Sequence, residues 1–159
     1  MHHLMGKSQS ALFDDRIKME TKDLNWDLII ELNEAANTAY GAEHYIESAA
    51  IYFQLVEVCL RVTISYMGLK AGFDSSKTEK LMREDDRFSR LVEYFHFFHA
   101  NENFYKRLKE FNRKRNKIFH DLFLRFESRE ALTKELKEFI EEARELFIGL
   151  GKICGVEKR

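Results

Sequence analysis

The chain has 159 residues, enough for one domain with a real core. Hydrophobic residues make up 45% and charged residues 33%, a balance that excludes an intrinsically disordered chain and a membrane-embedded one. The formal net charge is −1, so any strongly charged surface must be local.

The first twenty residues show no sustained hydrophobic period and begin Met-His-His, as an N-terminal extension or a partly tag-derived segment does. Residues 21–159 read as a single helical domain. No uninterrupted apolar run approaches the ~20 residues of a membrane span, and the first fifteen residues lack a signal-peptide apolar segment. The expected compartment is the reducing cytoplasm, with no membrane association. Cys59 and Cys154 sit in apolar surroundings without metal-ligand spacing and read as packing thiols.

The chain contains no proline, so helices can run uninterrupted. A first helix is predicted from about Leu24 to Tyr40, with Asp23 as N-cap and Trp26, Ile29, Ile30, Ala36 and Tyr40 on its apolar face. Gly41 separates it from a second helix over about Glu43–Met67. That helix is apolar nearly all round, which places it at the centre of a domain or in an oligomer interface. Ser76 and Glu79 form a capping box for a short helix, and Asp86–His99 is a further amphipathic segment. Asn101 caps a helix over about Glu102–Leu124, and Ser128 caps the last, whose stripe is Leu132, Leu136, Phe139, Ala143, Leu146 and Leu150. No segment alternates as a strand does. The pattern predicts an all-α, up-and-down bundle of four to five helices. Tyr45–Glu57 has a tetratricopeptide flavour without a second copy, which rules that reading out.

The richest chemistry lies in Phe111-Asn112-Arg113-Lys114-Arg115-Asn116-Lys117-Ile118-Phe119-His120-Asp121. Phe104, Leu108, Phe111, Ile118 and Leu122 form one helical stripe, and the position that completes it holds Arg115. An arginine on a buried face needs a partner. Glu57, in the apolar run Leu55–Leu60, needs one too, and Arg61 and Arg115 are its two candidates. His120 brings an imidazole, the side chain suited to proton transfer, and Asn116 adds a two-way hydrogen-bonding amide. Seven lysines and arginines against two glutamates between Asn101 and His120 give this helix a net charge of +5, and Arg113, Lys114 and Lys117 are candidate polyanion-binding residues. The helix from Ser128 to Glu145 is net acidic.

Arg115-Asn116-Lys117-Ile118-Phe119-His120 resembles the signature of the HEPN superfamily, an arginine often followed by asparagine and, four to six positions on, a histidine. The helical context over about residues 24–150 adds to the resemblance, as does an acidic residue, Glu57, in an apolar earlier helix. The resemblance implies a homodimeric helical bundle whose two motifs line one cleft. It also implies a metal-independent endoribonuclease of toxin or defence-effector type, with a cognate antitoxin or nucleotidyltransferase as partner. Catalytic roles would fall to Arg115, His120 and Asn116, with Glu57 supporting, and no cofactor or metal is required. One group of the superfamily carries a tyrosine two positions after the histidine; Leu122 stands there in this chain, so no tyrosine-based regulation carries over.

The chemistry has its own rationale. A 2′-hydroxyl can attack the adjacent phosphorus if a base takes its proton, an acid protonates the leaving oxygen, and cations hold the phosphoryl oxygens. Histidine and the planar guanidinium fork suit those roles. Five residues rotate a helix by about 140°, so Arg115 and His120 diverge on a regular helix. The helix is distorted, the arginine reaches round, or the working pairs form between subunits. The alternative is a non-catalytic helical module that binds nucleotide, RNA or a partner protein. A lesser alternative is a metal site built on Glu93, His96 and His99, at helical spacings of three.

Overall fold

The computed structural model describes residues 26–74, 76, 80, 87–120 and 128–155. Among them the chain forms five α-helices and no strand: α1 (Trp26–Gly41), α2 (Tyr45–Lys70), α3 (Phe88–Phe98), α4 (Glu102–His120) and α5 (Arg129–Ile153). The all-α bundle expected from the sequence is the observed architecture. The expectations for residues 1–25, including the Asp23 cap, lie outside the described residues. So do the Trp26 side chain, Glu79, Asp86, and the motif helix beyond His120 with Leu122.

α2 is the central element. It packs against α1, α3 and α5, while α4 closes the bundle between α3 and α5. Contacts along the helices give their directions. Tyr45 meets Lys137, Tyr52 meets Arg144 and Thr63 meets Cys154, so α5 runs parallel to α2. Phe104 meets Gly149, Phe111 meets Phe139 and Lys117 meets Glu135, so α4 runs antiparallel to both. Phe88 packs on Phe53 within α2 and Phe98 on Phe73 beyond its end, so α3 is parallel to α2. Among the five described helices, α3 therefore repeats the direction of α2.

The core is aromatic where four helices meet. The Phe111 ring of α4 stacks on Phe139 of α5, with centroids 4.6 Å apart and planes 10° from parallel. Phe53 of α2 and Phe88 of α3 stand 6.1 and 6.0 Å from the same ring. Burial of rings of this size contributes roughly 2–3 kcal/mol each. Mid-helix Gly149 has a packing reason: a Cβ there would come within 2.6 Å of the Phe104 ring.

Helix ends follow local hydrogen bonding. Asn101 Oδ1 accepts from the Phe104 N–H (3.0 Å) and Ser128 Oγ from the Ala131 N–H (3.1 Å), so both expected caps form. α2 passes Gly68 and stops at Lys70, where Gly72 takes the left-handed conformation (φ 86°) that ends it. Between α1 and α2 the expected boundary is displaced. α1 includes Gly41, and the left-handed residue is Glu43 (φ 64°). The His44 N–H reaches the Ala39 carbonyl (2.8 Å) and the Glu43 N–H the Tyr40 carbonyl (3.0 Å), a Schellman pair whose C′ position usually holds glycine.

A clasp behind this turn ties three helices. Tyr52 Oη donates to Asn37 Oδ1 (2.6 Å), Arg144 donates to both, and its guanidinium lies over the Tyr40 ring at 4.5 Å. Ser48 Oγ, fully buried, donates to the Ala36 carbonyl (2.8 Å).

By length and composition α2 is long and apolar enough to cross a membrane. Glu57 and Arg61 interrupt its apolar run. Just over half of that stretch (56%) is buried inside the bundle.

Glu43→Gly removes the Cβ penalty of the left-handed position and is expected to stabilise the fold by about 1 kcal/mol in urea denaturation. Cys59 supplies a second expectation. Burial first, and Cys154 second, push its thiol up from 9.0 to about 12. The folded protein therefore holds this thiol protonated where the unfolded chain ionises it. The resulting stability is fully present below pH 9 and is lost as pH rises from there toward 12. At neutral pH the partly buried Cys59 should react with a thiol reagent more slowly than free cysteine, and labelling of the native protein as fast as that of free cysteine would contradict it.

Candidate functional site

α4 presents two faces. Leu108, Phe111 and Ile118 are completely buried toward the bundle. Arg115 interrupts this stripe, and the structure shows what receives it. Its guanidinium carbon lies 4.4 Å from the centroid of the Phe53 ring, within the aromatic node. The face of an aromatic ring attracts a cation by about 0.5–2 kcal/mol, more as water is excluded. Among the described residues Arg115 pairs with no carboxylate. Its one hydrogen bond there is Nη1 donating to Asn116 Oδ1 at 3.1 Å.

Glu57 takes the other of its two candidate partners. Its Oε1 accepts from Arg61 Nη2 at 3.2 Å, an i,i+4 pair with both side chains about a quarter exposed (29% and 20%). Chain direction is the reason. α4 is antiparallel to α2, so passing from Phe111 to Arg115 moves toward the start of α2, whereas Glu57 lies one turn beyond Phe53 the other way. Glu57 pairs with Arg61, and Arg115 is seated on the Phe53 ring.

His120 is the last residue of α4 and is exposed. Asn116, also exposed, lies one turn before it on the same face. α4 is regular from Glu102 to His120, so distortion near the motif is not available within those residues. Arg115 and His120 leave the helix about 140° apart. Asn116 lies between them in angle and connects to the arginine directly.

The basic surface is partly neutralised. Arg113 forms a two-pronged pair with Glu110 (2.8 and 2.6 Å), and the guanidinium holds that carboxyl below its usual range. Lys117 Nζ reaches Glu135 of α5 at 3.3 Å. Arg107 bonds Glu142 (2.9 Å) and Glu145 (2.8 Å), so the acidic face of α5 meets the basic face of α4. Lys106, Lys109 and Lys114 have no carboxylate partner among the described residues. Pairs at this exposure are worth about 0–1 kcal/mol and exchange readily for a phosphate.

The Glu93, His96 and His99 spacing resolves into other contacts. Glu93 accepts from Tyr105 Oη (2.7 Å), His96 Nε2 bonds Glu102 Oε1 (2.6 Å), and His99 stacks on Phe95 with centroids 5.1 Å apart. Among the described residues no three His, Cys, Asp or Glu side chains are grouped to hold a metal ion. Two residues that matter here carried no motif: Phe53, which seats Arg115, and Tyr105, on which His96 stacks. The only sequence signal for Phe53 was its place one turn before Glu57 on an apolar helix.

A double-mutant cycle separates the two assignments of Glu57. Glu57→Gln and Arg61→Gln should couple by about 0.5 kcal/mol, while Glu57→Gln and Arg115→Gln should be additive within about 0.3 kcal/mol. Coupling of 57 to 115 in chemical denaturation would place the carboxylate on the other arginine. Comparison with known proteins adds no family to this geometry: no family model, curated protein or solved structure matches the chain.

Proposed function

We propose that the chain is a metal-independent endoribonuclease of the HEPN type, working as a homodimer with Arg115, Asn116 and His120 at its site. The observation that carries the reading is the state of Arg115. Its guanidinium is held in place by the Phe53 ring and by Asn116, and among the described residues no carboxylate pairs with it. A guanidinium positioned in this way is available to a phosphate, which it meets through a planar fork.

The reaction needs two proton-transfer groups and each chain supplies one histidine in the motif. The divergence of Arg115 and His120 on α4 calls for a second copy. One His120 takes the 2′-hydroxyl proton as that oxygen attacks phosphorus. The second copy's His120 gives a proton to the departing 5′-oxygen as the P–O5′ bond breaks. The arginines hold the phosphoryl oxygens while charge develops, and the product is a 2′,3′-cyclic phosphate. A toxin or defence role in the cytoplasm, restrained by a cognate antitoxin or nucleotidyltransferase, belongs to the same reading.

The regular course of α4 favours one other reading. With Arg115 and His120 on different sides of one helix, a single chain has the parts to bind RNA or nucleotide without cutting it. Cleavage of single-stranded RNA decides between them. The endoribonuclease should survive a chelator, fail on DNA and leave cyclic or 3′-phosphate ends. His120→Ala should lower the rate by about 10²–10⁴-fold with little loss of affinity. Arg115→Lys should impair cleavage more than binding. Binding without any cleavage by the wild type establishes the non-catalytic module, and loss of activity in chelator overturns the mechanism.

A further inference from the structure

The outer face of α4 is organised in a way the site above does not use. Steps of about 100° per residue place Tyr105, Lys109, Arg113, Asn116 and His120 within an arc of about 80°. The arc faces solvent: Lys109, Arg113, Asn116 and His120 are exposed and Tyr105 is half-buried. It runs about 22 Å along the helix. At its far end the His96 ring of α3 stacks on Tyr105, with centroids 3.9 Å apart and planes 15° from parallel. Both rings are fixed by hydrogen bonds, Tyr105 to Glu93 and His96 to Glu102. The bond to Glu93 is also the main reason the phenol holds its proton above its usual range. The His96 side chain keeps 35% of its surface open, and the Lys109 ammonium stands over the Tyr105 ring at 5.2 Å.

We infer that this stripe is a track for single-stranded RNA, with the His96–Tyr105 stack as a base platform and Lys109 and Arg113 as phosphate contacts leading to His120. The inference rests on the endoribonuclease reading for its polarity toward His120, and it names the substrate as an unpaired strand.

Three features select that ligand. A pre-stacked, hydrogen-bonded pair of rings offers a flat surface at little ordering cost, and stacking suits every base. The carboxylates of Glu93 and Glu102 beside the rings repel phosphate, so a strand must lay its bases there and its backbone toward Lys109. The length matches the small end of single-strand site sizes, about four nucleotides. A duplex hides its base faces and leaves the platform without a partner.

The test uses a fluorescein-labelled, fully 2′-O-methylated single strand, which cannot be cut because its nucleophile is blocked, so binding is read apart from cleavage. His96→Ala and Tyr105→Ala are each expected to weaken binding about five- to a hundredfold at a temperature where circular dichroism shows both variants folded. Tyr105→Phe loses the Glu93 bond, keeps the ring and should bind as wild type; this separates stacking from mere folding. Lys109→Gln should lower the slope of log affinity against log salt by about 0.7. Binding within twofold of wild type for both alanine variants overturns the track, as does equal loss in Tyr105→Phe and Tyr105→Ala. If these variants bind normally while His120→Ala still abolishes cleavage of unmodified RNA, the track fails and the ribonuclease reading stands. If they weaken binding and the wild type cuts nothing, the track stands and the ribonuclease reading fails.

Discussion

The interaction on which the rest of this structure depends is the packing of the Phe111 ring. One aromatic side chain from each of α2, α3 and α5 converges on it: Phe53, Phe88 and Phe139. Because Phe111 belongs to α4, the same contact that closes the core fixes the rotation of the motif helix. Once Phe111 points inward, Arg115 four residues later must follow it, and the outward arc from Tyr105 to His120 must face water. The site is thus a consequence of core packing, and a cavity at Phe111 would cost about 3–5 kcal/mol and loosen the geometry of both faces together.

The arginine on the buried stripe illustrates how a charge can be accommodated without an opposite charge. A carboxylate partner would have neutralised it. The Phe53 ring instead shields its underside while leaving its N–H fork to Asn116 and to whatever reaches that edge. The contrast with Arg107 is instructive, since two glutamates of α5 occupy its fork. On one helix the structure holds one arginine as a structural tie and another with no carboxylate partner among the described residues.

Electrostatics between α4 and α5 follow the same division. The net charge of the motif helix overstates its field, because Arg107 and Lys117 face the acidic side of α5. On α4 the cations without carboxylate partners among the described residues are Lys106, Lys109, Lys114 and Arg115. They explain why a chain near overall neutrality can still carry a basic stripe.

What the sequence determined by itself was local. The period of apolar residues set the helices, the absence of strand alternation set the class, and Asn101 and Ser128 marked two helix starts through short-range hydrogen bonds. The odd placement of Arg115 on an apolar stripe was visible for the same reason, since it is a matter of spacing alone. What only the tertiary structure decided was everything that depends on how helices face one another. The partner of Arg115 is an aromatic ring sixty-two positions earlier, and Glu57 turns to Arg61 because α2 and α4 run in opposite directions. The His96–Tyr105 stack joins two helices across a short turn and leaves no trace in periodicity. The left-handed Glu43 went unseen because that conformation is announced by glycine, and here the pull of the surrounding Schellman hydrogen bonds imposes it on a residue that resists it.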